Sequence, residues 1–343
     1  MKRRKFRTNL NSLFVIFIAF IIILTSSVFR SCKFNENNKL VESGSSIKVL
    51  FTRYDEIIPN IKFYIDNAKN SIYLAVFEIG NEELAKSLIN AKKRGVDVKV
   101  VTDEQNADYK ALKEIIENNI EVVFQNEESY MHHKFAVIDS EIVITGSMNW
   151  TDNDIFLNDN NVVIIHSKLL ANNYLKEFEQ MFKYKKFSRR KEKIGNNIIT
   201  IDGLRIENYF SPQDKPSRRI IEIINDSKKT IDFMAFSFTH DRIAKAIISA
   251  YEKGVKVRGL FEKRQISKFS EYEKFKNLRM NVYIDKNPKN MHNKIIIIDS
   301  SIVITGSYNF SSNADNDNDE NVLIIFSKEI ALKYLNYLNR LIQ

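Results

Sequence analysis

The chain has one cysteine in 343 residues, Cys32, so no disulfide can form within it and no cysteine cluster can hold a metal ion. Acidic residues are missing from the first 32 positions, where Lys2, Arg3, Arg4, Lys5, Arg7 and Arg30 stand. These six account for most of the formal net charge of +9. From Lys33 onward 46 basic residues face 43 acidic ones, and a body so near neutrality argues only weakly, on charge alone, for a polyanionic partner. Histidine is scarce too: of five in the chain, two occupy equivalent places in a repeat.

The leader also lacks a polar face. Its basic start precedes an apolar run from Leu13 to Leu24 that continues to Phe29, which reads as a membrane-targeting helix, either a cleaved signal or a short single-pass anchor. A buried soluble helix of this length would show polar positions at helical spacing. The basic residues ahead of the run would stay cytoplasmic and put the rest outside, on the cell membrane or secreted. Cys32, just past the run, raises lipidation at a new N-terminus, against which Arg30 two residues earlier stands.

Residues 33–46 are polar and read as a linker. Beyond it, short β-branched runs alternate with amphipathic helices: strands at 47–52, 71–77, 96–102 and 121–124, helices at 57–68, 82–94 and 109–118. The expected class is α/β with a largely buried sheet. The second half repeats this order. Leu84, Ala85, Leu88 and Ile89 match Ile243, Ala244, Ile247 and Ile248, Phe51 matches Phe210, and Asp103 matches Glu262. Two domains are therefore expected, at 47–184 and 198–343, after a 1–32 leader and joined by a connector at 185–197. That connector, charged and poor in apolar residues, reads as a solvated loop.

The repeat is sharpest in HHKFAVIDSEIVITGSMNW from His132 and HNKIIIIDSSIVITGSYNF from His292. Each has a His, a Lys two positions on, an Asp seven positions on, and a Gly-Ser-x-Asn tail. His132 with Lys134, and His292 with Lys294, point to one side of a strand, and two such halves facing each other would gather both pairs in one cleft. Two imidazoles, two ammonium groups and the amides of Asn149 and Asn309 around one anion suit phosphodiester cleavage. His132 and adjacent His133 should face opposite sides, which is poor metal-ligand geometry. His166 and His240 read as ordinary residues, and Trp150 and Phe310 as core walls of the cleft.

From about residue 47 to the C-terminus, including FSPQD from Phe210 and DNDENVLII ending at Ile325, the chain resembles the phospholipase D superfamily with two HKD motifs. The resemblance implies two tandem α/β sandwich domains related by a pseudo-twofold axis, no metal and no other cofactor, and no obligate protein partner. One His forms a phosphohistidine while the other protonates the leaving oxygen. Lys134, Lys294, Asn149 and Asn309 would hold the phosphate oxygens, with Ser147 and Ser307 either further donors or turn residues. Asp139 and Asp299 would anchor the strands. Because the family commonly places an acidic residue behind a catalytic His, and Glu320 corresponds to Asn160 in the first half, Glu320 is expected beside His292. That pairing would make His292 the general acid and leave His132 the nucleophile, with Asp154 or Asp159 as candidates for the missing carboxylate. The expected reaction is hydrolysis of a glycerophospholipid at a membrane surface to phosphatidic acid and head group. The alternatives are a nucleic-acid phosphodiesterase or endonuclease and a cardiolipin synthase-like transphosphatidylase. A binding module that has lost its catalysis would lack at least one His or Lys of the four, and all are present.

Overall fold

The computed structural model describes residues 40–126 and 128–343; the apolar leader and Cys32 lie outside them. Among the described residues no helix is long and apolar enough to cross a membrane. The first half supplies β2 (Ser46–Phe51), β3 (Ser71–Val76), β4 (Asp97–Asp103), β5 (Glu121–Gln125), β6 (Lys134–Ile138), β7 (Ile142–Gly146) and β8 (Asn161–His166). These form one sheet in the order β2-β8-β7-β6-β3-β4-β5. The second half supplies β10 (Leu204–Ser211), β11 (Thr230–Ala235), β12 (Lys256–Phe261), β13 (Asn281–Ile284), β14 (Lys294–Ile298), β15 (Ile302–Gly306) and β16 (Glu320–Phe326). They take the same order, β10-β16-β15-β14-β11-β12-β13, and β9 (Ile198–Ile201) and β1 (Leu40–Glu42) extend that sheet at the β10 edge.

Both faces of each sheet are covered, which is why the strands read as unbroken apolar runs. In β6, Phe135 and Val137 point to a central core while Ala136 and Ile138 point to an outer one. In β14, Ile295 and Ile297 face the same central core, and Ile296 and Ile298 face the outer core of the second half. Helices Ile57–Asn67, Glu82–Lys93 and Lys110–Glu117 cover the first outer face. The second outer face is covered by Pro216–Asn225, Asp241–Glu252 and Tyr272–Asn277. Helices Lys168–Phe182 and Lys328–Ile342 bring Tyr174, Phe178, Tyr334 and Leu338 into the central core. Each fully buried Leu or Ile there stabilises by about 1.5–3 kcal/mol.

Residues 40–46 of the expected linker, and the connector, are part of this body. Leu40–Glu42 pairs in parallel with Ile199–Ile201, and the Glu42 carboxylate accepts from Ser167 Oγ and the backbone N–H of Lys168. In the connector, Lys191 is 5 % exposed and its ammonium meets Glu177 and, at 2.8 Å, Asp319. Charge density misleads here because one buried cation matched by two carboxylates is a structural element, whereas composition registers only its polarity. Leu40–Gln343 is accordingly one compact unit. The halves are also joined reciprocally: Asn161 Nδ2 donates to Thr305 Oγ1 at 2.6 Å, and Asn321 Nδ2 to Thr145 Oγ1 at 2.8 Å.

At the end of β7 and β15, Gly146 and Gly306 have φ of 141° and 138°. A Cβ at either would lie 2.2 Å from the backbone oxygen of Asn161 or Asn321. Backbone cannot swing aside as a side-chain tip can, so Gly306→Ala is expected to destabilise the fold by at least about 2 kcal/mol. A urea melt with an unchanged midpoint would contradict this close approach.

Candidate active site

β3 lies parallel to β4 and antiparallel to β6, with Val76 opposite Lys134. The first motif thus begins at the carboxyl edge of the parallel strands, and Ala235 opposite Lys294 repeats the placement. His132 and His292 stand just ahead of these strands and are tied across the molecule. The His132 backbone N–H donates to Asp319 O at 3.0 Å, and that of His292 to Asp159 O at 2.8 Å. Each Lys then turns back on its own motif, Lys134 Nζ donating to His132 O at 2.9 Å and Lys294 Nζ to His292 O at 2.6 Å. The ammonium groups also sit over Phe77 and Phe236, 5.3 and 4.8 Å from the ring centroids, and the same rings meet the imidazoles edge-on.

Two buried ammonium groups and two buried imidazoles set the electrostatics. Burial pushes Lys134 down to about 8, with the carboxylates of Glu320, Asp154 and Glu78 opposing. Burial and then the Lys134 ammonium push Lys294 well below the ordinary lysine range. Both imidazoles are held well below the usual histidine value, first by burial and then by the two ammonium groups; His132 further lowers His292. The Lys134 ammonium acts on His292 and Lys294, and that of Lys294 on His132, so the two pairs influence each other across the halves.

The carboxylate behind the imidazoles falls opposite to expectation. Glu320 is not beside His292: both its oxygens lie 2.8 Å from His132 Nδ1. The strand carrying it is drawn across by the pairing of Met131 with Asp319, so each half orients the other half's histidine. His292 Nδ1 meets the amide oxygen of Asn160 at 2.9 Å, with Asp154 Oδ2 at 3.7 Å. Asp159, the other candidate for this place, is engaged by Arg53 at 2.8 Å and Asn287 at 2.6 Å. Burial raises Glu320 to about 7, with the Lys134 ammonium opposing. A carboxylate on Nδ1 fixes the Nδ1–H tautomer of His132 and leaves Nε2 as a lone pair.

Ser147 and Ser307 are neither bare turn residues nor free donors. Their hydroxyls donate to Asn160 Oδ1 at 2.8 Å and Glu320 Oε2 at 2.6 Å, so they hold the groups that hold the imidazoles. The amide oxygens of Asn149 and Asn309 are buried without a partner; the groups these side chains can offer a phosphate oxygen are the Nδ2 donors. Asp139 and Asp299 sit at the far ends of β6 and β14, away from the imidazoles, each collecting three backbone N–H groups, of Lys69, Asn70 and Ser71 or of Lys228, Lys229 and Thr230. Trp150 and Phe310 lie inside the two outer cores. His166 faces the Tyr64 hydroxyl at 3.3 Å, and His240 caps its helix through Ile243 N. Among the described residues no three of His, Cys, Asp and Glu converge as a metal ion would need.

Neither the Phe77–Phe236 pair, although the repeat aligns it, nor the network behind the site carries a motif that marks it in the sequence. His133 turns inward, its Nε2 3.0 Å from Glu177 Oε1, and Glu177 and Asp319 share Lys191. Their equivalents, Asn293 and Tyr337, form a neutral pair at 3.2 Å, so alignment of the repeat conceals this charge.

The family described as "Cardiolipin synthase, PLD-like domain" matches twice, over residues 61–182 and 220–342. The phospholipase D of Rickettsia conorii is 38 % identical over 146 residues, 42 % of this chain and 73 % of that protein. The mitochondrial cardiolipin hydrolase of Mus musculus is 35 % identical over 120 residues, 34 % of this chain and 53 % of its own. Among solved structures, the phosphatidylserine synthase of Haemophilus influenzae superposes with a TM-score of 0.66 at 16 % identity, over 86 % of this chain and 85 % of that one, a likeness of fold.

Removing Lys191 would strand two buried carboxylates. Lys191→Met is expected to destabilise by about 3–5 kcal/mol, whereas Arg189→Ala, which breaks an exposed pair with Asp317, should cost under about 1 kcal/mol. Equal midpoints for the two variants in denaturant would refute the assignment.

Proposed function

The chain belongs to the phospholipase D superfamily, and on that premise we propose that it is a phosphodiesterase acting on membrane phospholipid through a phosphohistidine. The observation that carries this reading is the convergence of two Lys–His pairs with Glu320 on one imidazole and an amide on the other. His132 is the nucleophile: its Nε2 attacks phosphorus as the bond to the leaving oxygen breaks, and Glu320 stabilises the charge that spreads onto the ring. This keeps the nucleophile expected from the resemblance but for the opposite reason, since the carboxylate supports His132 itself. His292 is the general acid. A bound phosphodiester places negative charge beside the His292 ring, which raises its proton affinity; the ring then protonates the departing oxygen. Neutral once more, His292 takes a proton from water, the hydroxyl displaces His132 from phosphorus, and the phosphate monoester leaves. Lys134, Lys294, Asn149 and Asn309 hold the non-bridging oxygens throughout.

The two relatives named as phospholipase D and cardiolipin hydrolase support a glycerophospholipid as substrate, cleaved to phosphatidic acid and head group. The leader, read as an anchor, would hold the catalytic body against the membrane outside the cytoplasm. Phosphatidylcholine vesicles and single-stranded DNA, offered separately to the purified chain, test the substrate: choline release without strand cleavage is expected, and the reverse would replace lipid with nucleic acid.

The two histidine roles separate by leaving group. His292→Ala should lose at least about a hundredfold in kcat on a choline ester yet, with a p-nitrophenyl ester whose phenolate departs unprotonated, recover most of the rate of the first step, read as a burst of phenolate ahead of slow hydrolysis of the phosphohistidine. His132→Ala should recover nothing, and rescue of that variant would invert the assignment. Glu320→Gln is expected to lower kcat by about 10³–10⁴-fold, as for other carboxylate–imidazole pairs.

Lys134 sets an alkaline limit. In the free enzyme its ammonium, held near 8, is charged below that pH and neutral above it, so anion binding weakens as pH rises. kcat/KM should fall above about pH 8 through KM, and a profile flat to pH 10 would contradict a depressed Lys134.

A further inference from the structure

The two halves carry equivalent loops around the mouth of the site, but with opposite charge. β4 and β5 run parallel to β3, and β12 and β13 parallel to β11. The loops that follow them therefore leave the sheets at the edge where Lys134 and Lys294 begin their strands. In the second half these loops expose Lys263, Arg264, Lys268 and Lys289, and none of the four is ion-paired with a carboxylate among the described residues. Arg264 donates to neutral acceptors, Asn290 Oδ1 at 2.9 Å and Pro288 O at 2.6 Å, two residues from His292. The first half exposes Glu104, Gln105 and Asp108 in the matching loop, Asp108 paired with Lys113 at 2.9 Å, and Glu128 beside Ser129, the residue equivalent to Lys289.

Exposed apolar side chains stand on both flanks, Tyr109 and Tyr130 on the first-half side at 37 % and 46 % exposure, but the most exposed ring lies on the basic one. Phe269 is 69 % exposed, and the Lys268 ammonium lies 5.0 Å from its ring centroid. Phe156 and Leu157 are 55 % and 41 % exposed, and Leu157 O accepts from Asn287 Nδ2 at 3.0 Å, which seats them beside the Lys289 loop. Their equivalents on the other flank are Asn316 and Asp317, the latter paired with Arg189.

We propose that the basic, apolar flank is a docking surface for a bilayer bearing anionic phospholipid, so that substrate enters the mouth from the second-half side; this rests on the phosphodiesterase reading above. The cations are drawn to the leaflet, Phe269, Phe156 and Leu157 enter the boundary between head groups and acyl chains, and the acidic flank is held off. A nucleic-acid strand fits this surface less well, because Leu157 offers no ring on which a base could stack.

The full chain carrying Phe269→Trp gives a local reporter that membrane binding by the leader cannot imitate, with buried Trp150 as constant background. Vesicles of phosphatidylglycerol and phosphatidylcholine should blue-shift its emission, while a reporter on the opposite flank, Asp108→Trp, should not shift. Each cation near an anionic leaflet is worth about a fivefold change in partitioning. Adding Lys263→Gln, Lys268→Gln and Lys289→Gln should therefore raise the lipid concentration needed by about a hundredfold. An unshifted Phe269→Trp reporter, equal shifts on both flanks, or a shift with single-stranded DNA but not vesicles would each overturn the proposal. Turnover of soluble bis(p-nitrophenyl) phosphate reports on the catalytic reading separately: if it fails while the blue shift holds, the chemistry falls and the docking surface stands.

Discussion

The site depends on an exchange between the halves. His132 is tied by its backbone to Asp319 and by its ring to Glu320, while His292 is tied by its backbone to Asp159 and by its ring to Asn160. Neither half contains a complete, oriented imidazole. This explains why the rest of the body is built to prevent relative movement, with Asn161 and Asn321 bridging at the centre, helices from both halves in one core, and strand β1 stitched to the far sheet. A displacement of an ångström between the halves would break the hydrogen bonds that set both tautomers, and misplacement of that size is costly in catalysis.

The same exchange makes two motifs of almost identical sequence differ in their surroundings. The duplication supplies two equivalent imidazole–ammonium pairs, and a single difference, carboxylate at one orienting position and amide at the other, makes them chemically unequal. Glu320 increases the electron density of one ring and can balance its positive charge. Asn160 fixes orientation without adding a full charge, leaving Asp154 to act from a longer distance. Behind these, His133, Glu177, Lys191 and Asp319 form a charged assembly where the other half has Asn293 and Tyr337, so the asymmetry continues into the core. At the surface it reappears as one basic, apolar flank and one acidic flank.

Much of this was legible in the residues. Alternating β-branched runs and amphipathic helices gave the α/β class, and the apolar stripes in Leu84, Leu88, Ile243 and Ile247 marked packing faces that are buried. The anchoring carboxylates Asp139 and Asp299 were recognised as structural, and His133 was expected to face away from His132. Two segments misled. Residues 40–42 look like linker, but a three-residue strand draws its stability from the sheet it joins rather than from its own composition. Lys191 looks like part of a solvated basic run, because composition cannot register two carboxylates that approach it from residues far along the chain.

By itself the sequence determined the number of imidazole–ammonium pairs, their duplication, and the strands that carry them, because each of these is a local pattern with a fixed period. It could not determine which carboxylate serves which histidine. Glu320 belongs to the repeat of His292, yet it hydrogen-bonds His132, 188 residues away, and that choice follows from the backbone pairing across the interface. Only the packed halves decide it, since a side chain's partner is set by proximity in space, and a duplicated sequence contains both pairings equally.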